Sequence, residues 1–396
     1  MTKTLVSNAL TSNKTFVCER IQNLPFSGIR KFFDIASEMQ DVISLGVGEP
    51  DFDTPWNIRE EAIYRLEAGN TVYTSNAGLL DLRKAISKYM FDRFDLRYDY
   101  SDQILATVGA SEGIDIALRA ILDPGDEVLV VEPCFVSYRP CVTMAGGVPI
   151  TIGAKAENDF RVTPEELSAK INSKTKALLI SYPNNPTGAI MEKSDLEQLA
   201  DVLRERDIVV ISDEIYAELT YGQEHVSIAS LPGMAEKTIV VNGFSKAFSM
   251  TGWRLGFVCG PKEIIEAMLK IHQYIVMCAP SVSQYAGIEA LKNSADSVRR
   301  MQKEYNGRRR VMLNGFNKMG LTCFEPRGAF YVFPCIKSTG LSSEDFCTKL
   351  LYEQKVAAVP GNAFGESGEG FIRCSYATGI RQLREALNRI RSFLDN

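Results

Sequence analysis

An α/β fold is predicted: a mostly parallel sheet flanked by helices on both faces, followed by a smaller α+β unit. Three observations predict it. Between about residues 100 and 260, short apolar runs alternate with amphipathic stretches of helical period. The runs are apolar at nearly every position rather than at every second one, so both of their faces are buried, as in parallel sheets. Beyond residue 297 the repeat stops, and a long helical pattern is followed by isolated strands and shorter helices.

Residues 128–131, 177–181, 208–212, 238–242 and 255–259 read as the buried strands. Residues 112–122 and 192–206 read as intervening helices, and Asp123–Pro124–Gly125–Asp126 stops the first of them. In such a repeat the strands run parallel and the chemistry gathers at their carboxyl ends. Further on, residues 297–318 read as one long helix, 328–333 as a strand, 343–354 as a helix, 371–375 as a strand and 380–393 as the last helix. Residues 1–40 carry no strong period.

Composition narrows the class. The 396 residues are 45% hydrophobic and 23% charged, an ordinary soluble globular balance. A net charge of −5 argues against a polyanion-binding surface. The basic clusters Arg299–Arg300 and Arg308–Arg309–Arg310 fall in a helical pattern and read as a solvated helix face, so no nucleic-acid partner is expected. Nine cysteines without a CxxC pair suggest free thiols in a reducing cytoplasm. With two histidines and no paired Cys/His spacing, no metal site is expected. Residues 271–288 form the longest stretch without Asp, Glu, Lys or Arg, but they include His272, Gln273, Pro280 and serines, so no membrane span is expected.

Polar residues cluster where the strands end. Asp213, Glu214, Ile215 and Tyr216 follow the 208–212 run, and Tyr182–Pro183–Asn184–Asn185–Pro186–Thr187–Gly188 follows 177–181. Ser245 and Lys246 follow 238–242, and Gly109–Ala110–Ser111 precedes the 112–122 helix. These four ends are expected to be adjacent and to converge on one cleft. Lys246 stands among small and apolar residues, with Arg254 eight positions on. Burial drives a lysine toward the neutral amine, a nucleophile that condenses with aldehydes. Arginine is a rigid fork suited to phosphate. Together they suggest pyridoxal 5′-phosphate, although Lys246 alone also fits a solvated strand cap.

The chain resembles the class I aminotransferases, PLP-dependent enzymes of fold type I. The resemblance rests on Leu45–Gly46–Val47–Gly48–Glu49–Pro50–Asp51–Phe52, Tyr73–Thr74–Ser75–Asn76–Ala77–Gly78, Gly109–Ala110–Ser111, Asn185–Pro186–Thr187–Gly188, Ser212–Asp213–Glu214–Ile215–Tyr216, Ser245–Lys246 with Arg254, and Phe371–Ile372–Arg373–Cys374–Ser375. Each motif is weak alone; all of them in the family's order are specific. The bacterial subgroup holding aspartate, aromatic and acetyl-diaminopimelate aminotransferases is the most similar. The resemblance implies a large PLP-binding domain over residues 46–290. Residues 1–45 and 291–396 would then form an N-terminal arm and a small domain.

It also implies roles. Lys246 would carry the cofactor as a Schiff base and then act as general base. Asp213 would face the pyridine nitrogen and keep it protonated, although an Asp there also fits a helix N-cap. Asn185 and Tyr216 would hydrogen-bond the ring hydroxyl oxygen; Asn-Pro-Thr-Gly is equally a good turn sequence. Ala110 and Ser111 at a helix start, with Ser245 and Arg254, would bind the phosphate. Tyr73 would reach that phosphate from a second subunit of a homodimer with shared sites. Phe135 would stack on the ring. Arg373 would grip the substrate α-carboxylate, with Gly46 and Asn185 also contacting the substrate and Ile29 lining the side-chain pocket.

The implied reaction is a ping-pong transfer of an amino group from an L-amino acid to a 2-oxo acid such as 2-oxoglutarate. Some aspartate enzymes of the subgroup carry a lysine beside the phosphate loop. Here Ser111 stands there, followed by Glu112, which would repel an aspartate side chain. With Ile29, this favours an aromatic or broad specificity over aspartate or acetyl-diaminopimelate, although Arg30 offers a charge. A carbon–sulfur β-lyase shares the fold, the lysine and the aspartate. A regulator built on the same domain would need a DNA-binding module ahead of Gly46, and the residues before it are too few.

Overall fold

In the computed structural model, residues 16–26, 28 and 39–395 are described. Seven strands form the main sheet: β2 (Ile104–Thr107), β3 (Glu127–Glu132), β4 (Val148–Gly153), β5 (Thr175–Ser181), β6 (Val209–Asp213), β7 (Thr238–Gly243) and β8 (Gly256–Cys259), in the order β2-β8-β7-β6-β5-β3-β4. All neighbours pair in parallel except around β8, which is antiparallel to both β7 and β2. Five of these strands match the predicted runs to within two residues at either end. β2 and β4 had no prediction: β2 is only four residues long, and β4 mixes Pro149, Thr151 and Gly153 into its apolar positions.

Side-chain alternation across each strand builds two cores. Leu129, Leu178, Ile180 and Val210 point to one face and pack on Leu196 and Leu199 of the helix Lys193–Leu203. Val128, Val130, Leu179, Ile211 and Val241 point to the other, against Ile114 and Leu118 of the helix Gly109–Ile121 and Met268 of Lys262–Ile275. Burying each such side chain contributes about 1.5–3 kcal/mol, which explains why both strand faces must be apolar.

Topology puts chemistry on one edge. β3, β5, β6, β7 and β2 all point their carboxyl ends the same way, and the start of antiparallel β8 lies there too. The four predicted ends do share this edge. They are not all adjacent, however, because β8 separates β2 from β7.

The second unit carries an antiparallel sheet, β11 (Val359–Pro360), β12 (Ile372–Ser375) and β9 (Tyr331–Val332), with helices Ala295–Lys318, Ser343–Gln354 and Ile380–Leu394. β1 (Ile43–Ser44) pairs in parallel with β10 (Val356–Ala357), which ties the chain just before Gly46 to these C-terminal elements. Tyr305, Phe316, Phe330, Phe346 and Ile390 form their shared core with Leu45.

The arginine cluster departs from expectation. Arg308 and Arg309 are buried, not solvated. Arg308 pairs with Asp51 at 2.8 Å and Arg309 with Glu325 at 2.7 Å. A helix period alone does not reveal that a charged face meets carboxylates from elsewhere in the chain. Among the described residues, no helix is long and apolar enough to cross a membrane.

Candidate active site

A cavity of about 750 Å³ opens at the carboxyl edge of the main sheet, where the second unit closes over it. Ala110, Ser111, Phe135, Asn185, Asp213, Tyr216, Ser245, Lys246, Arg254 and Arg373 all line it. Gly46 does not line it, but its carbonyl accepts a hydrogen bond from Arg373. Tyr73 lies elsewhere on its own chain and is 79% exposed. Ile29 and Arg30 fall outside the described residues.

Asp213 is the last residue of β6, so a strand end fixes its backbone. Its carboxylate accepts from Tyr138 Oη at 2.7 Å and from the Ile215 amide at 3.1 Å. The backbone bond fits the capping reading as well, but the side chain faces the cavity. Burial pushes its pKa up from 3.8 to about 6 despite both donors. Lys246 follows β7, and its Nζ donates to the Gly48 carbonyl at 2.6 Å. Burial, with help from Arg373 and Arg254, lowers its pKa from 10.5 to about 8, which brings the neutral amine within reach near physiological pH.

An anion site lies at the β2 end. The helix Gly109–Ile121 presents its free N–H groups to the cavity at Ala110 and Ser111. Gly109 has φ +76°, and a Cβ there would lie 2.5 Å from a guanidinium nitrogen of Arg254. Only glycine lets the turn and the arginine come together. Arg254 itself sits at φ 50°, immediately before Leu255 and β8.

Glu112 corrects the sequence reading. One of its oxygens accepts the Val108 amide and the other accepts from His272 Nδ1 at 2.8 Å. Its carboxylate is turned back from the cavity to brace the turn, so the argument that it repels an aspartate side chain falls.

Arg373 lies in β12 and is 3% exposed. It donates to Asn185 Oδ1 at 2.9 Å and to Gly46 O, while its Nε has no partner. Among the described residues no carboxylate pairs with it, and burial lowers its proton affinity. A buried cation left without a counter-ion is costly unless a ligand supplies one.

Sequence reasoning missed Tyr138 and Tyr331. Tyr138 follows Phe135 by three positions and packs edge-to-face on it, so in sequence it passes for core. Tyr331 was hidden in the aromatic strand 328–333; its hydroxyl meets that of Tyr216 at 2.8 Å.

The residues present fit a phosphorylated pyridine aldehyde: a helix start with Arg254 for the phosphate, a carboxylate for the ring nitrogen and an amine for the aldehyde. The comparisons agree. The model of the family "Aminotransferase class I and II" matches residues 40–390. The chain belongs to the class I and II aminotransferases. It is 48% identical to an aspartate aminotransferase of Pyrococcus abyssi, over 95% of this chain and 97% of that protein. It is 45% identical to aromatic-amino-acid aminotransferase 2 of Thermococcus litoralis, over 95% and 97%. Among solved structures, an aspartate aminotransferase from Thermus thermophilus with maleate superposes with a TM-score of 0.92 at 38% identity, covering 96% of this chain and 100% of that one. As an aminotransferase of this family, the chain is an enzyme that transfers amino groups and depends on pyridoxal phosphate.

Proposed function

We propose that this aminotransferase moves the amino group of an L-amino acid, aromatic or of broad specificity, to a 2-oxo acid such as 2-oxoglutarate, in two half-reactions at one site. The observation that carries the reading is Arg373, a buried guanidinium with one unpartnered nitrogen beside the cavity that holds Lys246. An α-carboxylate supplies its missing anion. The cavity's other cations are Lys246 and Arg254, so among the described lining residues no further one is free for a distal carboxylate. Val47, Ile114, Ile215 and Phe135 line the same space. This supports an apolar or aromatic substrate side chain.

Pyridoxal phosphate, when bound, acts as the electron sink for the bond broken at the substrate's α-carbon. In this proposal Lys246 Nζ would hold the cofactor's aldehyde carbon and would serve as the base for the substrate's α-proton. Asp213, held by Tyr138, keeps the pyridine nitrogen protonated, and Phe135 covers the ring. Asn185 and Tyr216 donate to the ring oxygen. Ala110, Ser111, Ser245 and Arg254 hold the phosphate, joined by Tyr73 from the other subunit of a homodimer. Arg373 and Gly46 orient the substrate so that its α C–H faces Lys246, and Ile29 lines the side-chain pocket. The proposal includes a large domain over residues 46–290, with 1–45 and 291–396 in the arm and small domain; the β1–β10 pairing supports that division. A cytoplasmic location is part of it.

The test is a half-reaction screen. Purified protein is expected to be yellow, and the visible band should bleach with true donors. Bleaching by phenylalanine and tyrosine supports the aromatic reading; bleaching by aspartate alone overturns it. Pyruvate released without an acceptor would identify a β-lyase instead.

A further inference from the structure

Tyr216 Oη and Tyr331 Oη lie 2.8 Å apart, and both side chains are buried. In such a pair one hydroxyl donates and the other accepts, and a hydroxyl carries a single proton. The direction therefore decides where the Tyr216 proton points. If Tyr216 donates to Tyr331, it has nothing left to give to the cavity.

The surroundings choose the direction. The groups facing the pair are Asp213 from the end of β6, Lys246 from the β7 turn, Arg373 from β12 and Glu49 from the segment after β1. The Arg373 guanidinium lies 4.6 Å from the Tyr331 ring centroid and is the main charge acting on that hydroxyl. It favours negative charge on Tyr331 and so makes that hydroxyl the better donor. Arg373 reaches Tyr216 as well, but there Asp213 opposes it, and no such carboxylate of β6 acts on Tyr331. Burial raises both phenols, Tyr216 further, while Arg373 and the bond to Tyr216 restrain Tyr331.

We propose that Tyr331 is a positioning residue of this aminotransferase: its hydroxyl donates to Tyr216, turns the Tyr216 proton toward the cofactor's ring oxygen and strengthens that hydrogen bond. Chained hydroxyls polarise one another, so a Tyr216 oxygen that accepts becomes a stronger donor. Tyr331 touches neither the reacting carbon nor Lys246 in this role; it acts through Tyr216. The inference rests on the proposed contact of Tyr216 with the ring oxygen.

The test reads the visible absorbance of the cofactor-loaded enzyme against pH. A donor on the ring oxygen stabilises its anionic form and lowers the pH at which the lysine–cofactor linkage loses its proton. Tyr331→Phe removes one oxygen and keeps the ring that packs on Arg373. It should raise the absorbance midpoint by roughly 0.5–1 pH unit. Tyr216→Phe should raise it by at least as much. The double variant should match Tyr216→Phe, because without Tyr216 the Tyr331 hydroxyl has nothing to act on. The relay is overturned if Tyr331→Phe leaves the midpoint unmoved while Tyr216→Phe shifts it, or if the two shifts simply add. A Tyr216→Phe midpoint equal to wild type overturns the Tyr216 contact itself and the relay with it.

Discussion

Asp213 offers a test in which function and stability oppose each other. Burial raises its pKa from 3.8 to about 6, even with Tyr138 and the Ile215 amide donating to it. At about 1.4 kcal/mol per tenfold change in proton affinity, holding this carboxylate ionised in the cofactor-free fold costs about 3 kcal/mol. The sign follows from where protons bind. Between pH 3.8 and about 6 the folded chain holds a proton that the unfolded chain has lost. Stability therefore falls as pH rises through that window, and the full cost is present above it. Asp213→Asn removes the charge and keeps an acceptor for the Ile215 amide. In cofactor-free protein the variant should be more stable than wild type by about 2–3 kcal/mol at pH 8, with the gap closing toward pH 4. Urea unfolding at a series of pH values measures this. The same variant should bind pyridoxal phosphate more weakly and lose most of its transamination activity. A variant no more stable than wild type at pH 8 would refute the claim that this carboxylate is held against its own desolvation cost.

Four further outcomes are expected. With its pKa lowered to about 8, Lys246 in cofactor-free protein should react with an amine-selective acylating reagent with a midpoint near pH 8, followed by mass spectrometry, while exposed lysines titrate later. Gly109→Ala meets both the φ of +76° and the Arg254 contact. By displacing Arg254 it should raise the dissociation constant for pyridoxal phosphate about tenfold or more in a spectral titration, while the left-handed backbone separately costs about 1–2 kcal/mol of stability. Gly125→Ala, at φ +93° with open space around it, should lose stability without losing cofactor affinity. Glu112→Ala leaves the Val108 amide and His272 without their acceptor. It should lower stability by about 1–3 kcal/mol in urea unfolding, with Glu112→Gln nearer wild type.

The parts legible in sequence were those that need consecutive residues. β3, β5, β6, β7 and β8 were found because a strand buried on both faces has to be apolar throughout. Asp213, Lys246, Ala110 and Ser111 were found because strand ends and helix starts place polar groups at a sheet's edge. What stayed hidden depends on long-range packing. The turn of Glu112 toward His272 joins residues 160 positions apart. The bond between Tyr216 and Tyr331 spans 115 positions. The ion pair of Arg308 with Asp51 crosses 257. In each case one partner alone has a plain local reading, a repelling carboxylate, a core aromatic or a solvated arginine, and only the other partner changes it.

The three ionisable groups that matter most share one property. Lys246, Asp213 and Arg373 all line the same cavity, and burial is the largest influence on each, driving every one toward its neutral form. Lys246 and Asp213 carry opposite charge, and their mutual attraction does not overcome desolvation. A fold selected for stability alone would pair such groups or replace them with apolar ones. This one leaves all three lining one cavity without an ion pair among them. The ligands that complete the set are a protonated ring nitrogen for Asp213, a covalent bond for Lys246 and a carboxylate for Arg373. Each relieves a cost the empty fold carries, so part of the cofactor's binding energy is relief of strain between charge and burial. At a ligand concentration one hundred times the dissociation constant, binding adds about 2.7 kcal/mol to stability. Asp213→Asn has already removed one of those costs. At a fixed cofactor concentration, the rise in melting temperature on loading should therefore be smaller for Asp213→Asn than for wild type, and the variant's cofactor-free form should be the more stable of the two. A site whose charges were stabilising on their own would give the opposite order.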